Sequence, residues 1–138
     1  MSSKARLVIT AVVVEKRRWW EDGYNGRDLP LIDVLFAATY IHHSNDNVLD
    51  RATFREAAAA FQHSFPDSSV RIKQLIGEGD LVVARWRFSG THTVDGTRWG
   101  SATGRLLNLL STWVCLVQDG TIRGGLGDLG HARGGRAP

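Results

Sequence analysis

Residues 65–105 read FPDSSVRIKQLIGEGDLVVARWRFSGTHTVDGTRWGSATGR, and the two arms flanking Gly77-Glu78-Gly79-Asp80 decide the fold. β-Branched and aromatic residues dominate both arms, and the turn supplies residues that tolerate positive φ, so the stretch predicts a β-hairpin. In the second arm Val82, Ala84, Trp86 and Phe88 share one parity, and Val83, Arg85, Arg87 and Ser89 the other. Such a strand has one apolar face and one polar face. His92 continues the apolar parity if the strand runs through Gly90 without a bulge, which sets an imidazole at the end of a hydrophobic sheet face.

Working outward, 138 residues with 43% hydrophobic content build one domain with a real core. Residues 1–130 are expected to form it, with 131–138 a disordered tail. The net charge of +3 is spread along the chain apart from Lys16-Arg17-Arg18 and Arg123, Arg133 and Arg136. With no basic stripe or RNA-recognition motif, a nucleic-acid partner is not expected, and a solvated helix face accounts for Lys16 to Arg18. The single cysteine, Cys115, excludes an intrachain disulfide and suits a reducing cytoplasm; within the apolar run Trp113 to Val117 it reads as a buried small hydrophobe. Leu7 to Val14 is too short for a membrane span and lacks a cleavage site, so a cytoplasmic protein with no membrane partner is expected.

In chain order, a first helix is predicted over about 5–24 and a second, with Pro30 in its first turn, from Leu29 to Ala38. Tyr40 to Ser44 reads as extended. His42 and His43 are neighbours on that strand and point to opposite faces, so no metal site is expected. Thr53 and Glu56 have capping-box spacing ahead of a third helix with an apolar stripe of Phe54, Ala57, Ala58, Phe61 and Phe65, and His63 near its end suits the helix dipole. Trp99, in the loop from Val94 to Ser101, is either a lid over a pocket mouth or a loop anchor. Leu106 to Gln118 is a long strand apolar on both parities, which predicts that its outer face is buried in a homodimer. Asp119-Gly120 signals a tight hairpin, and Thr121 to Leu129 returns as the last strand with Ile122, Leu126 and Asp128 on one parity.

Phe65-Pro66-Asp67, Gly79-Asp80, Gly90-Thr91-His92-Thr93 and Thr103-Gly104-Arg105, in this order, resemble the SnoaL-like polyketide cyclases. These are a branch of the superfamily with the cone-shaped α+β fold of nuclear transport factor, scytalone dehydratase and ketosteroid isomerase. The resemblance, over roughly residues 14–130, implies one strongly bent, mainly antiparallel sheet with about three N-terminal helices packed over its concave face, enclosing a mostly apolar cavity. In those cyclases an aspartate on the last strand is the acid/base for an intramolecular aldol ring closure, without metal or organic cofactor, while histidine and other polar groups hydrogen-bond carbonyl oxygens. Carried onto this chain, the resemblance implies Asp128 as the acid/base and His43 as a pocket-lining histidine. Asp128 stands two residues nearer Ile122 than the usual family aspartate, and Arg123-Gly124-Gly125-Leu126-Gly127 replaces the acidic, histidine and tryptophan residues commonly found there.

Parity adds His92, Trp86, Phe88, Ser111 and Trp113 to the inward set, with Trp20 and Tyr40 from the helical side and first strand and Trp99 at the mouth. A carboxyl desolvated in such a cavity has a raised pKa and serves as a general acid or base near neutrality. The expected substrate is an apolar, carbonyl-bearing small molecule. A cofactor-free hydroxylase, an isomerase, an epoxide-opening cyclase and a non-catalytic binding module remain alternatives on the same scaffold.

Overall fold

The computed structural model describes residues 16–44 and 47–127. Residues 16–18 are helical and run into a π-wound helix, Trp19–Asn25 (α1). A 3-10 turn Leu29–Leu31 leads to the one-turn helix Ile32–Leu35 (α2), strands Phe36–His43 (β1) and Val48–Asp50 (β2), and the long helix Arg51–Ser64 (α3). Strands Ser69–Glu78 (β3), Leu81–Thr91 (β4), Leu106–Gln118 (β5) and Thr121–Leu126 (β6) complete the chain. All six strands form one curled sheet in the order β2-β1-β6-β5-β4-β3, antiparallel except that β1 runs parallel to β6. With three helices against this sheet, the architecture is the expected α+β cone.

Both hairpins form where turn chemistry puts them. Glu78 pairs with Leu81 across Gly79-Asp80, with Gly79 at φ 59°. Gln118 pairs with Thr121 across Asp119 (φ 51°) and Gly120 (φ 75°), the double positive φ of a turn matched to strand twist. β4 and β5 stay in register from Leu81 opposite Leu116 to Thr91 opposite Leu106. Uninterrupted pairing preserves parity, so Val82, Ala84, Trp86, Phe88 and His92 are all buried.

The FPD and GTHT motifs turn out to be stitching. The Asp67 carboxylate accepts from the Thr91 backbone N–H at 2.7 Å and its hydroxyl at 2.9 Å, which holds the carboxyl below its ordinary range. The His92 backbone N–H donates to Arg105 and its carbonyl accepts from Gly104, closing the loop back on β4. From the helical side, the Asn25 amide brackets Val70, donating to its carbonyl and accepting from its N–H, each at 2.7 Å. The Arg27 guanidinium donates to the carbonyls of Pro66 and Ser68.

Three boundaries differ from the sequence reading. The second helix ends at Leu35, not Ala38, because Phe36 onward is drawn into parallel pairing with β6, Phe36 lying opposite Ile122. α3 begins three residues before the Thr53 capping box: Asp50 is the N-cap, and its carboxylate accepts from the Thr53 N–H and hydroxyl, both at 2.8 Å. Its apolar stripe is as read, with Phe54, Ala57, Ala58 and Phe61 buried and Phe65 buried just past its end. The last strand stops at Leu126 and carries a bulge at Arg123, since Val117 faces Ile122 while Leu116 faces Gly124. The bulge reverses parity, so Gly125 is buried and Leu126 is 58% exposed. The alternation that joined Ile122 and Leu126 to Asp128 therefore fails beyond Arg123. Asp128 itself, the tail 131–138 and residues 5–15 of the first predicted helix lie outside the described residues.

Replacing Asp50 with Ala removes the only side-chain acceptor for the Thr53 N–H shown at this helix start and is expected to cost about 1 kcal/mol in urea unfolding. Thr53→Ala, which keeps that acceptor, should cost less.

Candidate functional site

Along β1, Phe36, Tyr40 and His42 are buried while Ile41 and His43 are exposed. The inward imidazole of the His42-His43 pair is thus His42, and His43, opposite Leu126, faces outward. The signal for this was in the sequence: His42 is two residues from an aromatic that has to be buried, and strand parity carries it inward with Tyr40.

His42 is held between strands. Its Nε2–H donates to the Gly127 carbonyl at 2.6 Å, and in the neutral ring this makes Nδ1 an acceptor for the Tyr40 hydroxyl at 2.8 Å. Burial pushes the Tyr40 phenol far above its ordinary range, a shift the Trp113 indole partly offsets, so Tyr40 is a neutral proton donor. The imidazole packs against Phe54 at 5.3 Å and edge-on to Trp113 at 5.1 Å between ring centroids. Opposite them β6 presents Gly125. A Cβ there would meet Trp113 Nε1, Tyr40 Oη and His42 Nδ1, so three polar atoms of three residues converge on one glycine. With no Cβ, Gly125 lets these three side chains close directly onto the β6 backbone.

Beneath Trp113 lies a residue the sequence reading gave to solvent. Lys16 is fully buried, its Nζ 2.7 Å from the Trp113 ring centroid and 4.9 Å from that of Trp20, with the Cys115 thiol beside it. Burial brings its ammonium down to about 7, with Cys115 partly opposing the shift. The same burial raises the Cys115 thiol. Helical spacing was the available clue, since Lys16 stands three and four residues before Trp19 and Trp20 and shares their face.

The expected pocket walls are present but packed ring on ring. Trp20 lies 4.8 Å from Trp86 and 5.3 Å from Trp113, and Trp20, Tyr40, Trp86, Phe88 and Trp113 are each under 5% exposed. Ser111, paired with Trp86, shares their face and is half-buried. His92 belongs to a second cluster with Phe61, Phe65, Phe88 and Trp99. It stacks on Phe65 at 5.1 Å, and its Nδ1 lies 3.4 Å from the Thr103 hydroxyl. Trp99, against Phe61 at 4.8 Å and Phe65 at 5.3 Å, anchors its loop. A groove of about 320 Å³ runs outside, between Glu56 and His63 of α3 and Arg98 of that loop.

The electrostatic imbalance of this interior is informative. The indole N–H groups of Trp19, Trp20, Trp86 and Trp99 are buried without an acceptor and His92 Nε2 has no partner, while Trp113 Nε1 has only the Tyr40 hydroxyl and Lys16 Nζ only the Cys115 thiol in reach. Buried polar groups are ordinarily paired, so these indoles are donors available to an acceptor that reaches them. Among the described residues no three His, Cys, Asp or Glu side chains are grouped to hold a metal, and no helix is long and apolar enough to cross a membrane.

Residues 14–125 match the SnoaL-like polyketide cyclase family. The chain belongs to that family. Solved structures with the same fold include a SnoaL-like polyketide cyclase candidate from Jannaschia sp. CCS1, with a TM-score of 0.77 at 15% identity over 86% of this chain and 85% of that one. AclR from Streptomyces galilaeus, a hydroxylase candidate, has a TM-score of 0.77 at 20% identity over 87% and 79% of the two chains. IdmH from Streptomyces antibioticus, a polyketide cyclase candidate, has a TM-score of 0.73 at 22% identity over 85% and 90%. No curated protein sequence matches the chain. In this SnoaL-like chain the inward histidine, the bare glycine opposite it and the buried lysine are set by its own residues.

Two outcomes test the geometry. Gly125→Ala should destabilise the fold by about 1–3 kcal/mol through overpacking against Trp113 and Tyr40, read by thermal or urea unfolding. For Lys16 the folded pKa lies below the unfolded value near 10.5, so between about 7 and 10.5 the unfolded chain binds more protons and stability rises with pH. Lys16→Met should therefore be more stable than the native chain near neutrality, with the difference shrinking as pH approaches 10. A native melting curve indifferent to pH across that window would contradict the buried amine.

Proposed function

We propose that this SnoaL-like protein closes a ring in an apolar small molecule bearing several carbonyl groups, by cofactor-free general acid/base catalysis. The observation that carries the reading is the donor surplus: the indole N–H groups of Trp19, Trp20 and Trp86 lie among aromatic walls without acceptors. A chain of ketone oxygens on a hydrocarbon frame supplies what that interior lacks. Hydrogen-bond donors of this kind also stabilise the negative charge that develops on an enolate oxygen.

In this reading a base removes a proton from a carbon between two carbonyls, and the carbanion attacks a second carbonyl carbon of the same molecule. The Tyr40 hydroxyl, held by His42, turns its proton from Nδ1 to the new alkoxide, and the proton taken up by the base restores the phenol. Asp128 is the proposed base on the likeness to the family's last-strand aspartate, not on strand parity, and because Gly127, the residue before it in the chain, accepts the hydrogen bond from His42. His92 is assigned a carbonyl oxygen at the other end of an extended substrate, and the exposed His43 is given no part. The outer sheet face supports a second copy as partner. Ile76, Val83, Val114 and Leu126 pair across four strands there, with Leu81 and Leu116 alongside. The buried single thiol fits work in a reducing cytoplasm.

Incubation with linear poly-β-ketone thioesters, read by mass spectrometry and NMR, tests the proposal. A cyclic product of unchanged mass, or one lighter by a single water, is expected. A gain of one oxygen would indicate a hydroxylase, and recovery of bound but unaltered ligand a binding module; either overturns it. Tyr40→Phe and His42→Ala should each lower kcat by about 10²-fold with the fold retained, and Asp128→Asn should lower it further.

A further inference from the structure

Lys16 has no part in that mechanism, yet its surroundings are arranged for chemistry. The chain has lysines only at positions 4, 16 and 73, and Lys73 is exposed on β3. A structural reading of Lys16 would make it an ammonium held by the faces of Trp20 and Trp113. An ammonium, however, carries three donors and needs acceptors, whereas Nζ meets only the weakly accepting Cys115 thiol and the indole N–H of Trp20 is itself unsatisfied. A region crowded with donors favours the amine with its lone pair free, and burial that brings the group down to about 7 acts in the same direction. The position is also apt. Trp113 receives Lys16 on its ring face and stands edge-on to His42, so the amine and the Tyr40–His42 pair flank a single indole.

We propose that Lys16 is a carbonyl-capturing residue, forming an iminium with a ketone or aldehyde of the substrate across Trp113 from the Tyr40–His42 pair. The Nζ lone pair forms the C–N bond while the carbonyl π pair moves to oxygen, which takes a proton to give a carbinolamine. The nitrogen gives up one of its protons and expels that oxygen as water with a second proton, so amine, carbonyl and one net proton become the iminium C=N and one water. Loss of a proton from the neighbouring carbon gives an enamine, which attacks the second carbonyl. Hydrolysis consumes the water and restores Lys16, leaving the atom balance of the direct aldol unchanged. Desolvated lysines of lowered pKa are suited to this step.

The inference rests on the carbonyl-substrate reading above, and two assays separate them. The full chain is treated with 1-phenylbutane-1,3-dione, a β-diketone whose amine adduct is a stable, near-ultraviolet-absorbing enaminone. One adduct per chain is expected, heavier by the diketone less one water and mapped to Lys16, forming at pH 7 about 10²-fold faster than on free Nα-acetyl-lysine. Lys16→Arg and Lys16→Met, folded by circular dichroism, should lose it. Absence of the adduct at Lys16, or modification confined to Lys4 and Lys73, would overturn the inference. So would ring closure at native rate by Lys16→Arg when Tyr40→Phe is impaired, a result that leaves acid/base cyclisation standing. Conversely, an adduct at Lys16 with no cyclised product from any poly-β-ketone would refute the cyclisation and leave the reactive amine in place.

Discussion

The indole of Trp113 is the body around which the molecule is fitted. Lys16 lies on its face, Trp20 and His42 meet it edge-on, Phe54 and Phe36 pack beside it, and Gly125 of the neighbouring strand gives it room. These residues come from four other elements, so one side chain of β5 couples the N-terminal helix, α3, β1 and β6. Removing so large a buried ring forfeits several kcal/mol of contact. The bulge at Arg123 follows from the same demand. Had alternation continued unbroken from Ile122, Gly124 would face inward; the extra residue brings Gly125 there instead.

A second constraint lies at the other end of β4. The carboxylate of Asp67 captures Thr91, the backbone of His92 captures the Gly104-Arg105 turn, and Asn25 acts as one more rung at the edge of β3. Residues that marked the family in the sequence are here mostly ties between loops. They secure the rim of the cone, while the groups with chemical potential sit deeper, on β1, β5 and the helix leading into α1.

What could be read from the chain followed strict periodicity and turn chemistry. The β4 alternation, both hairpins and the α3 stripe depend on local rules with a single strong solution. Where several local solutions competed, contacts distant in sequence decided. Phe36 to Ala38 could extend a helix, but β6 offers a parallel partner; Thr53 could cap α3, but Asp50 caps it one turn earlier by accepting from Thr53's own N–H. Lys16 was hidden by its company, for Lys-Arg-Arg reads as a wetted surface unless the helix phase against Trp19 and Trp20 is followed. His42 and His43 differ by one residue, and family likeness favoured the wrong one of the two for burial. The bulge has no local signature beyond its glycines, and it alone undoes the inward argument for Asp128.

The sheet order carries one more implication. β6 is last in sequence but lies between β1 and β5, so it is the seam that joins two otherwise separate pieces, one of β1 and β2 and the other of β3, β4 and β5. During synthesis neither piece can seal its apolar side until residues 121–126 have left the ribosome. Such long-range closure slows maturation and leaves greasy edges uncovered in the nascent state. The sheet therefore closes in a single late step, once β6 is available.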